Sequence, residues 1–200
     1  GFKFMLNDKA VFQRTVLDQG YYPDGIYTAP TEDAIINDIQ ISLDAGFNGA
    51  RLHEKVFEPR FLYHCDRMGY IVWGEYANWG LNHTDIASLA TFLREWEEAI
   101  ERDFNHPAII GWIPFNETWD LNRKPQADEL IEMVYKTTKL LDTTRPCIDT
   151  SGGFHVIGEI FDFHDYCQDV KEFDTIMDDL MNKGILNDQL DRSPLYKKRE

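Results

Sequence analysis

Long apolar runs are missing from this 200-residue chain. None approaches the roughly 20 residues that a membrane-spanning helix needs. Positive charge is scarce, with 20 Lys and Arg against 35 Asp and Glu, for a formal net charge of -15. Such a surface repels nucleic acid phosphates and anionic lipid, so neither is an expected partner. Only three cysteines occur, Cys65, Cys147 and Cys167, without the C-x-x-C spacing of a metal knuckle or redox pair. They read as reduced thiols, and a chain of this length needs no disulfide scaffold. A secretory leader is not evident, because "GFKFMLND" already has the character of folded structure. Compartment is left open between the cytoplasm and export. Glycine-rich phosphate loops are lacking too: the turn after the first β-type run reads "DQGYYPDGIY", neither G-x-G-x-x-G nor G-x-x-x-x-G-K.

What is present is an alternation of short β-type runs and amphipathic helical runs. The first run, "AVFQRTVLD", covers Ala10 to Asp18. The stretch "TEDAIINDIQISLDAG" predicts a helix with Thr31 as N-cap and Glu32 and Asp33 at its positive end. Ile35, Ile39 and Leu43 make one apolar stripe, and Gly46 stops it. A second strand, "FNGARLH", precedes a helix that starts at Pro59 and stops at Gly69. Tyr70 to Glu75 is the third strand, and Ser88 to Phe104 the next helix. The fourth strand lies in "AIIGWIPFNETWD", followed by a helix from Gln126 to Leu141. "RPCIDT" and "IFDFHDY" read as strands five and six. A last helix carries Phe173, Ile176, Met177, Leu180 and Met181 and closes at Gly184.

Strand and helix in turn indicate a parallel sheet covered by helices. Without a nucleotide-binding turn, a doubly wound sheet loses to a (β/α)8 barrel, whose chemistry sits at the C-terminal ends of the strands. The expected fold is therefore α/β, of the (β/α)8 TIM-barrel type and incomplete at six strands, with residues 1–200 forming one partial barrel domain.

Polar groups collect at the ends where a barrel needs them: Asp18, His53, Glu75, Asn116, Glu117, Asp149, His164, Asp165 and Tyr166. In the fourth run, "IIGWIPF" is scaffold and "NE" is what it delivers. A carboxyl group half-surrounded by Trp112, Phe115 and Trp119 is expected to have its pKa raised, as a general acid near neutral pH requires. Asn116 beside it suits a substrate hydroxyl. His53 and His164 read either as site residues or as core histidines bonded to backbone. Glu75 reads either as a group that orients the acid or as one half of a structural ion pair. Trp79 and Trp119 either stack on a ligand ring or simply pack. Glu54 and Asp165 alternate away from the barrel axis. No metal motif such as H-E-x-x-H occurs, and neither a metal nor another cofactor is expected.

"ERDFNHPAIIGWIPFNE" resembles the fourth-strand signature of the glycoside hydrolase family two catalytic barrel, the group of β-galactosidases, β-glucuronidases and β-mannosidases. "FLYHCDRMGYIVWGE" and "LDTTRP" are similar to the second-helix to third-strand segment and to the approach to the fifth strand. The resemblance implies a retaining glycosidase acting on a carbohydrate, β-galactosidase-like as a first expectation. Glu117 matches the acid/base and Asn116 the residue that binds the 2-hydroxyl. His53, Glu75, His164, Tyr166 and Trp119 complete the expected substrate-binding set. Tyr166 matches a tyrosine that hydrogen-bonds the nucleophile, which the family carries on a seventh strand. That strand is not found before "RSPLYKKRE", so the 200 residues are expected to be inactive alone. Two departures stand out: Asn7-Asp8-Lys9 replaces an Asn-Gly-Lys turn, and Arg51-Leu52-His53 is one residue shorter than Arg-x-x-His. Strands one and six would be open edges, inviting self-association or a partner chain that completes the barrel.

Overall fold

Four strands form the central parallel sheet in the computed structural model, which describes residues 3–183. A short antiparallel hairpin comes first, β1 (Met5–Leu6) with β2 (Lys9–Ala10). Asn7 and Asp8 turn it with φ of 49° and 63°, the paired positive values of a type I′ turn. The sheet itself runs β3 (Thr15–Asp18), β4 (Gly49–Leu52), β5 (Ile71–Glu75) and β6 (Ile109–Ile113), in sequential order. Pro114 interrupts the fourth run because it has no N–H for the ladder. The strand resumes as β7 (Phe115–Asn116), paired in parallel with β8 (Thr150–Ser151). Backbone bonds between Trp112 and residues Pro146 and Ile148 carry the fifth run alongside β6.

The helices fall where their apolar stripes predict: α1 (Glu32–Asp44), α2 (Pro59–Met68), α3 (Leu89–Asp103), α4 (Asp128–Leu141) and α5 (Val170–Lys183). Thr31 Oγ1 accepts the Ala34 N–H at 3.1 Å, so the expected N-cap forms. The C-terminus expected for α5 at Gly184 lies outside the described residues.

Two expectations need correction. The first strand shrinks from Ala10–Asp18 to Thr15–Asp18, because Lys9 and Ala10 are spent on the hairpin. The sixth strand does not form: residues 160–166 are irregular. Their polar side chains bond to the ends of β7 and β8 instead, so the segment is held by side chains rather than by a ladder. Among the described residues the open edges are therefore β3 and β8, and Asp162 partly covers the latter through Ser151 and Gly152.

Period-two alternation divides two apolar layers. Val72, Ile109, Trp112 and Phe115 pack outward against the helices with Phe61, Phe92 and Trp96. Ile71, Trp73, Ile110, Ile113 and Ile148 fill the inner face. Trp96 and Trp112 are almost wholly buried and meet edge to face at 5.7 Å. Burial of one such apolar side chain contributes about 1.5–3 kcal/mol. Their N–H groups are satisfied by Thr138 and Asp142. Trp73 fits inside only because β6 presents Gly111 there; a Cβ at Gly111 would sit 2.1 Å from the indole. Among the described residues the arc does not close. Its open side leaves a cavity of about 530 Å³ walled by Gln13, Trp73, Ile148 and Ile160, with Arg51 and His164 also exposed to it. All three cysteines are free.

Candidate active site

Arg51 is the hub of the strand-end cluster. Side chains of β4 alternate, so Gly49 and Arg51 face one side while Ala50 and Leu52 are buried on the other. From there Arg51 donates to both oxygens of Glu75 at the end of β5, at 2.7 and 3.0 Å. It also donates to Asn116 Oδ1 at 2.5 Å, and its Nη1 lies 3.0 Å from His164 Nε2. Ends of β4, β5 and β7 and the irregular segment after β8 thus meet on one guanidinium. The side chain of Glu75 is fully buried. Burial pushes its carboxyl up, and the charge and hydrogen bonds of Arg51 offset only part of that rise.

Asn116 is wholly buried and clamped by its backbone. Asn78 Oδ1 accepts the Asn116 N–H at 2.7 Å, and Asn78 Nδ2 donates to the Asn116 carbonyl at 3.0 Å. These bonds replace the ladder that Pro114 interrupts. With Oδ1 taken by Arg51, Asn116 Nδ2 is left buried with no partner among the described residues. Such an orphan donor is rare in native structures and calls for an explanation.

Glu117 follows with φ of 50°, a left-handed conformation that costs a residue with a Cβ about 1–2 kcal/mol. Strain of this kind gathers at functional sites. The turn aims Oε1 at two donors, His164 Nδ1 at 2.6 Å and the Tyr166 hydroxyl at 3.0 Å. The expectation of a raised pKa at Glu117 fails here. Burial does act to raise it, but the hydrogen bonds from His164 and Tyr166, then the charges of His164 and Arg51, outweigh it and hold the carboxyl below its usual range. The three aromatic residues expected to surround it lie elsewhere. Trp112 and Phe115 point into the helix layer, and Trp119 packs edge-on against Phe154 at 5.4 Å, partly exposed.

The remaining expected residues divide. His164 and Tyr166 reach Glu117 although no sixth strand carries them. His53 is buried next to the cluster, but its Nδ1 takes a hydrogen bond from Gln19 Nε2 at 3.0 Å and its ring meets Trp79 edge-on at 5.7 Å. Burial, then the Arg51 charge, lowers its pKa. Trp119 stands outside the bonded cluster, with its backbone tied to His83. Glu54, expected to turn away, has φ of 55° and donates its N–H to Glu75 Oε1. Burial pushes its carboxyl up to about 7. Sequence reasoning gave no site role to Arg51, Asn78, Ser151 or Asp162. Arg51 was detectable, since it shares the parity of His53 on one strand; the other three come together only by tertiary packing.

Parallel strands in sequential order, helices on the outer face and polar groups at the C-terminal strand ends define part of a (β/α)8-type barrel. The comparisons with known proteins place it more narrowly. The family described as "Glycosyl hydrolases family 2, TIM barrel domain" matches residues 3–191, and the chain belongs to that family. It is 30% identical over 156 residues to a β-galactosidase of Psychromonas ingrahamii, covering 74% of this chain and 14% of that protein. It is 31% identical over 115 residues to a β-glucuronidase of Chlorocebus aethiops, covering 56% of this chain and 17% of that one. The chain thus spans less than a fifth of the length of these relatives. A crystal structure of a Parabacteroides merdae β-glucuronidase superposes with a TM-score of 0.74 at 22% identity, over 90% of this chain and 24% of that one.

Proposed function

We propose that the protein containing this chain is a retaining β-glycosidase, β-galactosidase-like, in which Glu117 is the general acid/base. The observation that carries this reading is the convergence on Glu117: a strand-end carboxylate in a strained turn, gripped by an imidazole and a phenol, beside the unpartnered donor of Asn116. Glu117 protonates the leaving oxygen and later deprotonates water. Asn116 Nδ2 donates to a sugar hydroxyl. His53, Trp119 and Tyr166 line the approach. Glu75 fixes Arg51 and so keeps Asn116 in place. The nucleophile is a second carboxylate about 5–5.5 Å from the first, the spacing of retaining enzymes, and lies outside these 200 residues. Its negative charge would work against the depression of Glu117. By this reading the 200 residues alone do not turn over, and the open arc is completed by further chain or by a partner.

The test is hydrolysis of aryl β-galactosides and β-glucuronides by the full protein and its Glu117→Gln variant. Loss of general acid/base catalysis costs about 10²–10⁴-fold in rate. Added azide should restore turnover of an activated substrate and yield a β-configured glycosyl azide, since azide needs no general base. An α-configured product would refute retention. Undiminished hydrolysis in the variant would remove Glu117 from the role and favour a non-catalytic carbohydrate-binding part for this cluster.

A further inference from the structure

The low proton affinity of Glu117 conflicts with its proposed duty as an acid, and the groups behind it resolve the conflict. His164 Nδ1 lies 2.6 Å from Glu117 Oε1, the short distance of a charge-assisted bond. On the far side of the ring, Nε2 has two neighbours with opposite demands. Arg51 Nη1, at 3.0 Å, can only donate to it. Ser151 Oγ, at 3.1 Å, spends its own proton on Asp162 Oδ2 at 2.5 Å and so presents lone pairs to Nε2. Asp162 is kept ionised: burial works to raise its pKa, but His155 and Ser151 bond it and bring it below the usual range. His155 is anchored in turn by Asp149, with Nδ1 to Oδ1 at 2.7 Å, and its Nε2 donates to the Asp162 carbonyl at 2.8 Å. The ring has one seat. Gly152, at φ of 65°, lies so close that a Cβ would fall 2.3 Å from the imidazole Cγ. Arg51 is also held by three bonds that do not involve His164, two to Glu75 and one to Asn116.

Resting on the reading of Glu117 as acid/base, we infer that His164 shares the catalytic proton with it and that Ser151 and Asp162 hold the Nε2–H that makes this sharing possible. In one state the imidazole carries both protons and Glu117 is a carboxylate. In the other the Nδ1–H bond breaks, its electron pair stays on Nδ1, and the proton joins Oε1. The ring is then neutral with its proton on Nε2, facing Ser151 Oγ. The pair has zero net charge in both states; the transfer turns an ion pair into a neutral pair. Glu117 is therefore an acid because a base beside it returns its proton when the leaving oxygen draws on it. His164 is a positioning and proton-holding residue, acting through Glu117. The charged and titratable groups facing the pair are Arg51, Tyr166, Asp162 through Ser151, Glu75 through Arg51, and His53.

Two measurements test this. In ¹⁵N-histidine spectra of the full protein near neutral pH, with His164 assigned by its loss in His164→Gln, Nε2 should be protonated and Nδ1 should fall between the protonated and unprotonated ranges. Gly152→Ala should abolish that intermediate signal by unseating the ring. If Nε2 is unprotonated, Arg51 owns its lone pair and the proposal is wrong. The second measurement is the pH–rate profile of the full protein. Removing His164 as a mere donor to a carboxylate would raise the proton affinity of Glu117 and move the alkaline limb to higher pH. Removing it as the holder of the proton leaves a lone carboxyl, so the limb of His164→Gln should move to lower pH. An unchanged or upward limb would overturn the inference. The nitrogen spectra need no turnover, so a failure of the glycosidase reading shows separately, as absent hydrolysis.

Discussion

Replacing Arg51 with Met should be among the most damaging single changes in the site, and the structure says how damaging. Glu75 has no exposed side-chain surface, and Arg51 is 15% exposed, so the pair is desolvated on one side and nearly so on the other. Arg51→Met keeps the length and apolar stem but leaves a buried carboxyl without its cation. Breaking a buried pair from one side costs about 3–5 kcal/mol. For a urea dependence of about 2 kcal/mol per molar, the unfolding midpoint should fall by about 2 M. The double variant Arg51→Met, Glu75→Leu removes both charges and should recover most of that loss, since a buried ion pair and an apolar replacement are often close in stability. Recovery stays incomplete, because the Glu54 N–H loses its acceptor and Asn116 Oδ1 its donor, each worth about 1 kcal/mol. Urea titration followed by tryptophan fluorescence measures all four corners of the cycle. A single-variant loss under about 1 kcal/mol, or a double variant no more stable than Arg51→Met, would refute the placement of this pair in a dry site.

Asp142 supplies a pH prediction. Burial works against its charge, yet bonds from Thr144, Trp112 and Arg145 hold the carboxyl well below the usual range. A depressed folded pKa stabilises above the unfolded value of about 3.9 and is lost as pH falls through the folded one. Wild-type stability should therefore drop steeply below about pH 4, and Asp142→Asn should be less stable at neutral pH with a flatter acid limb in urea midpoints; parallel limbs would contradict it. The free edge of β3 supplies another. Leu17 and Ile41 are more than half exposed along a groove of about 510 Å³ beside that strand. The 200 residues should self-associate in light scattering, with β3 amides protected from hydrogen exchange only in the associated form. A monomer at high concentration with protected β3 amides would count against pairing at that edge.

The sequence by itself determined the layered architecture and where its chemistry would sit. The apolar run of Ile71–Glu75 and the stripes of α1 to α4 are local properties, readable because a strand covered on both faces is apolar throughout and a helix must bury one face. Asn116-Glu117 was legible for the same reason: an apolar strand that ends in polar residues has left the core. Tertiary structure alone decided the rest. Whether residues 160–166 form a strand depends on what lies beside them, and their side chains bond to β7 and β8 rather than extending a ladder. The proton affinity of Glu117 could not be read from its neighbours in the chain, because Trp112, Phe115 and Trp119 all turn elsewhere. It is set by His164, 47 residues away, and by Arg51, 66 residues in the other direction. Electrostatics falls off with distance in space, and sequence records that distance only within a single turn or strand.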